Sequence, residues 1–213
     1  MESIYLVGII LANILFSLKG FNDVFFFKKY QFHVGSIRAG EQIRMISSAF
    51  LHADIMHLAF NMIALYSFAP VVISQLGNFT FLLLYVGSLV FGSLLTMVFH
   101  GNDNNYSAVG ASGAVTGIIY SSILLYPDMV IGIFGIIPMP AYVFGIAYLM
   151  YSIYGMKAKR DNIGHTAHFG GAIGGYAITL LKDPILFQES TLMVILLAIP
   201  IVILFVLEKM GKL

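Results

Sequence analysis

Apolar runs of roughly bilayer length alternate along this chain with short polar connections. A membrane-spanning helix needs about 20 mostly apolar residues. The pattern therefore predicts seven helices, near residues 3–18, 45–72, 79–99, 107–126, 130–154, 165–181 and 190–207. These windows differ in character. The second carries His52, His57 and Asn61, the fourth Ser112, and the sixth His165 and His168, whereas Leu192 to Leu207 is apolar throughout. Polar side chains at membrane depth are costly unless they face the interior of a bundle. Windows two, four and six are thus expected inside and the seventh against lipid. Residues 19–44 mix Phe21, Phe25, Phe26, Phe27 and Tyr30 with Lys28 and Lys29, as expected of a segment lying in the membrane interface.

Composition sharpens this picture. The chain is 59% hydrophobic and 10% charged, with a mean hydropathy of +0.91, against about 25% charged residues in soluble domains. The pattern is that of an all-α polytopic membrane protein. A net charge of +1 leaves no basic face that could follow a nucleic-acid backbone, so nucleic acid is not an expected partner. With no cysteine there is no disulfide framework, thiolate metal site or cysteine nucleophile. Met1-Glu2-Ser3 leads straight into an apolar run without a positive segment before Lys19, which reads as a first spanning helix rather than a signal peptide. Neither internal repeats nor low-complexity stretches are visible, so a single domain is expected.

Three elements could carry chemistry. In Gly110-Ala111-Ser112-Gly113-Ala114-Val115-Thr116-Gly117 a serine flanked by glycines follows the polar turn Asn102-Asp103-Asn104-Asn105. Ser112 is expected near a helix start, where free backbone N–H groups could stabilise an oxyanion and the glycines would admit a substrate backbone. Small residues at four-residue spacing also serve plain helix packing, so this segment alone decides nothing. In Gly164-His165-Thr166-Ala167-His168-Phe169-Gly170-Gly171-Ala172-Ile173-Gly174-Gly175 a histidine precedes small residues on nearly every turn. Such a face lets His168 approach a serine on an equally small helix, and an imidazole suits a general base. His165 has no carboxylate or cysteine at ligand spacing, so no metal site is expected. In the segment from Arg44 to Asn61, His57 and Asn61 lie four residues apart on one face and could donate hydrogen bonds into the bundle. His52 fits loop support better than chemistry.

Taken together, His52-x4-His57-x3-Asn61, Gly110-x-Ser112-Gly113 and Ala167-His168-x-Gly170-Gly171-x3-Gly175, in order on the second, fourth and sixth windows, resemble the rhomboid family of intramembrane serine proteases. Tyr85 and Ser88 look like the family's third helix. The resemblance implies a six-helix core over 1–189, to which 190–213 adds a seventh helix in a six-plus-one arrangement. It also implies a serine–histidine dyad without a third acid, no cofactor, and transmembrane proteins as substrates within a lipid bilayer. Carried over residue by residue, Ser112 is the nucleophile and His168 its general base. His57, Asn61 and the Ser112 backbone N–H form the oxyanion hole, and Gly110, Gly113, Gly171, Arg44 and His52 support the site.

Two positions depart from the family pattern. The residue four after the serine, usually an aromatic packed on the histidine, is Thr116, so the ring of His168 must be oriented by another side chain, with Tyr120 or Tyr148 the candidates. The position three before the histidine, often asparagine, is His165. Window five, with Gly135, Pro138, Pro140 and Gly145, is the expected mobile gate. The resemblance implies a site opening to the outer face, with a prokaryotic plasma membrane as the expected setting. All Lys and Arg except Lys182 then fall outside, against the positive-inside rule. The rival reading is a pseudoprotease that binds membrane helices without cutting. A transporter would need acidic groups at membrane depth, and Asp54 alone lies near one.

Overall fold

The computed structural model describes residues 3–133, 137–158 and 163–213. Helix α1 (Ile4–Asn22) starts where the Ser3 hydroxyl accepts from the Leu6 N–H. Asp23 then caps α2 (Val24–Tyr30), accepting from the N–H groups of Phe25 and Phe26. The bond from Phe26 is the chief reason its carboxyl lies below the usual carboxylate range. Strand β1 (Phe32–His33), α3 (Val34–Arg38) and α4 (Arg44–Ser47) follow, then a 3-10 turn, Ser48–Phe50.

Next comes α5 (Ile55–His100), entered through Asp54, whose carboxylate accepts from the His57 N–H at 2.8 Å. At 1.5 Å per residue its 46 residues would measure about 69 Å, more than twice the hydrocarbon thickness. It is broken at Gly77, where φ is 81°, a conformation that glycine adopts without a Cβ clash. The two arms, 55–76 and 78–100, match windows two and three. Strand β2 (Ser107–Ala108) pairs antiparallel with β1 and leads into α6 (Ser112–Leu125). A hairpin of β3 (Val130–Ile133) and β4 (Ile137–Pro140) precedes α7 (Ala141–Ala158). Helices α8 (His165–Lys182), α9 (Leu186–Glu189) and α10 (Thr191–Lys209) complete the chain.

At the centre lies α6, buried at every position from Gly113 to Leu124. Its contact with α8 is backbone on backbone. A Cβ added at Gly171 would strike the Gly113 carbonyl, and one at Gly113 would stand 3.0 Å from the Ala167 carbonyl oxygen. The second arm of α5 joins on the same terms, since a Cβ at Gly92 would lie 2.9 Å from that oxygen. Helix α7 flanks this trio, and α10 lies against α7 and α6, burying Leu197 and accepting at Val194 O from the Tyr176 hydroxyl (2.9 Å). The outer faces of α1, α5 and α10 carry exposed apolar side chains such as Leu15, Val98 and Val202. By length and composition these three helices could each cross a membrane.

Between α1 and α5, Arg44 fastens the segment that carries α2 to α4. Its guanidinium meets Glu41 at 2.6 Å and donates to the carbonyls of Lys28 (2.7 Å) and Gln31 (3.1 Å). Ser47 donates to Tyr30 O and Ser93 to Met45 O, tying α2 and α5 to α4.

The windows differ from the helices in three places. Window two begins as α4 and the 3-10 turn, because Asp54 offers the cap that starts the long helix only at Ile55. Window four starts extended and becomes helical at Ser112. Window five opens as the β3–β4 hairpin rather than a helix. Pro138 and Pro140 lack the N–H groups a helix interior needs, and the β-branched Val130 and Ile131 suit a strand. An unbroken apolar run cannot by itself distinguish the two. Gly135 lies outside the described residues.

Candidate active site

Ser112 is the first residue of α6, reached through an abrupt turn. Gly110 has φ 126°, in the left-handed region, and its N–H donates to Ser48 O at 3.0 Å. No room exists for a side chain there. A Cβ would lie 2.8 Å from His57 Nε2 and 3.7 Å from Ser112 Oγ. The N-cap, Ala111, has no capping side chain, so the first-turn N–H groups of α6 are not satisfied by one.

His52 secures this turn from behind. Its Nε2 accepts from the Ala111 N–H at 3.3 Å, and an amide can only donate, so the ring proton must sit on Nδ1. From there it faces the Ser17 hydroxyl at 2.8 Å, which in turn donates to Phe50 O (3.0 Å). Burial, helped by the neighbouring His57 and opposed by Asp54, pushes the His52 pKa down to about 3, so the ring stays neutral and keeps its acceptor.

His168, in the first turn of α8, brings Nε2 to 2.9 Å from Ser112 Oγ. Its ring stacks on Tyr148 of α7, centroids 5.0 Å apart and 29° between planes. Nδ1 is 3.1 Å from the Ser152 hydroxyl, also on α7. Among the described residues, the side chain facing Nδ1 of the histidine is thus a hydroxyl. Of the two candidates for orienting the ring, Tyr148 is in contact, whereas the Tyr120 hydroxyl donates to Gly145 O at 3.3 Å. Thr116 donates to the Ser112 carbonyl at 2.6 Å. His165 stands edge-on to His168, centroids 5.8 Å apart.

The other expected site residues separate into two groups. His57 is at the site: Ala53 N–H donates to its Nδ1 at 3.5 Å, so Nε2 carries the proton, on the Gly110 side. Asn61 is buried one turn further along, its amide donating to the His57 carbonyl at 2.9 Å. Gly113 and Gly171 form the contact that lets α6 and α8 meet, and Arg44 acts away from the site, on α2 and the residue after it. Beside Ser112 lies a cavity of about 40 Å³, bounded by Ser48, Leu89, Gly92, Gly110 and Ala167. Ser152 is not marked as a site residue by the sequence. Nothing in the primary structure separates it from Ser121 or Ser122, and only packing of α7 against α8 brings it to the ring.

Fold and site together define an all-α membrane bundle with a hydrogen-bonded serine–histidine pair at its centre. Comparison with known proteins agrees. The Rhomboid domain matches residues 39–184. The putative rhomboid protease YdcA of Bacillus subtilis is 34% identical, over 67% of this chain and 68% of that protein. RHOMBOID-like protein 12, mitochondrial, of Arabidopsis thaliana is 28% identical over 78% of this chain and 54% of its own length. Rhomboid protein 1, mitochondrial, of Saccharomyces cerevisiae is 32% identical over 63% and 40%. This chain belongs to the rhomboid family. It spans about half the length of the mitochondrial relatives. Because relatives occur in both bacteria and mitochondria, the family supports a membrane location without choosing the membrane.

Proposed function

We propose that the protein is an intramembrane serine endopeptidase that cleaves a peptide bond in or near a transmembrane helix of its substrate. The observation that carries this reading is the 2.9 Å contact between His168 Nε2 and Ser112 Oγ at an uncapped helix start. In the first step Ser112 Oγ gives its proton to His168 Nε2 and bonds to the carbonyl carbon, whose oxygen becomes an oxyanion. The Ser112 backbone N–H and His57 Nε2–H donate to that oxygen, with Asn61 holding the His57 carbonyl or turning its amide inward. As the C–N bond breaks, His168 returns the proton to the leaving amine, and the acyl group stays on Ser112 as an ester. Water then gives a proton to His168 and its oxygen to the acyl carbon. The acid departs and the proton goes back to Ser112 Oγ. The small cavity suits a small side chain at the cleaved bond.

The proposed organisation is a six-helix core over 1–189 with a further helix over 190–213, in a prokaryotic plasma membrane and opening to its outer face. The Bacillus relative, matched over similar shares of both chains, supports that setting. Helix α7, held by α10 on its outer side, is the proposed gate through which substrate enters from lipid.

The test is cleavage of a tagged model transmembrane substrate by purified protein in liposomes. Wild type should cut, and Ser112→Ala and His168→Ala should lose cleavage while staying folded. Substrate helices that bind wild type but are never cut would instead establish a pseudoprotease.

A further inference from the structure

We propose that Ser152 is the positioning residue that fixes the tautomer of His168, so that the pair works as a hydroxyl–imidazole–hydroxyl chain; this rests on the protease reading above. The Ser152 hydroxyl is fully buried and makes two contacts, with His168 Nδ1 at 3.1 Å and the Tyr148 carbonyl at 3.0 Å. It has a single proton. The carbonyl can only accept, so the proton is spent there, and the oxygen's lone pairs face the imidazole. Nδ1 is then the donor, and the neutral ring keeps its acceptor lone pair on Nε2, 2.9 Å from Ser112 Oγ. That is the form a general base requires. The alternative tautomer would carry its one proton on Nε2, which could then not take the serine proton, and would set the Nδ1 lone pair against those of the Ser152 oxygen.

Tyr148 and Ser152 lie four residues apart on one face of α7, so a single helix supplies both the ring beneath His168 and the acceptor behind it. Orientation thus comes from α7, because Thr116 on α6 is too small to stack and bonds the Ser112 carbonyl instead. When Nε2 gains the serine proton, Nδ1–H stays in place and its bond to Ser152 strengthens with the charge on the ring.

The experiment measures kcat and KM for a transmembrane substrate in liposomes with wild type, Ser152→Ala, Ser152→Thr and Ser112→Ala, with thermal unfolding of each. Ser152→Ala is expected to lower kcat about 10- to 100-fold, part of the roughly 10²- to 10⁴-fold worth of general-base catalysis. KM and unfolding temperature should stay near wild type, and Ser152→Thr, which keeps the hydroxyl, should recover most of the rate. Wild-type kcat in Ser152→Ala, or a loss that tracks unfolding or appears in KM, overturns the proposal. If Ser112→Ala still cleaves, the protease reading itself fails, whatever Ser152 does.

Discussion

Where α6 meets α8, glycine faces backbone: Gly113 and Gly171 bring main chains into contact with no side chain between them. Where α6 meets α7 and α10, the contact is made by side-chain tips instead. A Cβ at Gly145 would meet the end of Ile123, Cδ1 at 2.7 Å, and Leu197 at 3.9 Å. The first contact has no give, because backbone atoms cannot rotate aside. The second can slide or separate at small cost. The serine–histidine pair bridges the rigid side, Ser112 on α6 and His168 on α8, whereas Tyr148 and Ser152 reach the histidine from the yielding side. A helix that moves to admit substrate would therefore also carry the groups that orient the base.

Substitution at the two glycines tests this contrast most strongly. Gly171→Ala should force α6 and α8 apart, costing about 3 kcal/mol or more and abolishing cleavage. Gly145→Ala should stay within about 1 kcal/mol of wild type, since only an isoleucine tip must shift and alanine favours the helix. Comparable losses at both sites, measured by thermal unfolding in detergent, would erase the distinction.

His52 anchors the rigid side, and its removal comes next in size. His52→Ala would leave the Ala111 N–H without its acceptor, a cost of about 1–3 kcal/mol. Its titration gives a second handle. Unfolded, the ring takes up a proton near its ordinary 6.5; folded, not until about 3. Between those values the unfolded state binds more protons, so stability is lost as pH falls from 6.5 toward 3. Unfolding followed against pH should show that slope in wild type, and a shallower one in His52→Gln.

On the yielding side the expected effect is smaller and falls on rate. Tyr148→Ala should lower kcat about 10-fold by removing the ring beneath His168, while Tyr148→Phe stays within about twofold. Equal rates for all three would show that stacking contributes nothing to orientation.

The rigid side was largely legible in the primary structure and the yielding side was not. Glycines around Ser112 and after His168 announce close helix approach, because little else tolerates a missing Cβ at four-residue spacing. The order of the three motifs then places them on helices that meet. Window five offered only an apolar run with two prolines, from which neither the β3–β4 hairpin nor the start of α7 at Ala141 could be read. Ser152 was hidden for a related reason. Which face of α7 turns inward is set by packing against α8, and that helix carries polar and apolar residues without a clear stripe.

The most direct test of the central claim is covalent capture. Wild-type protein in liposomes is treated with a serine-directed fluorophosphonate and the modified residue is located by mass spectrometry, with His168→Ala in parallel. An adduct on Ser112 is expected in wild type, lost or strongly slowed in the variant while its fold persists. No adduct on Ser112, or equal labelling without His168, would contradict it.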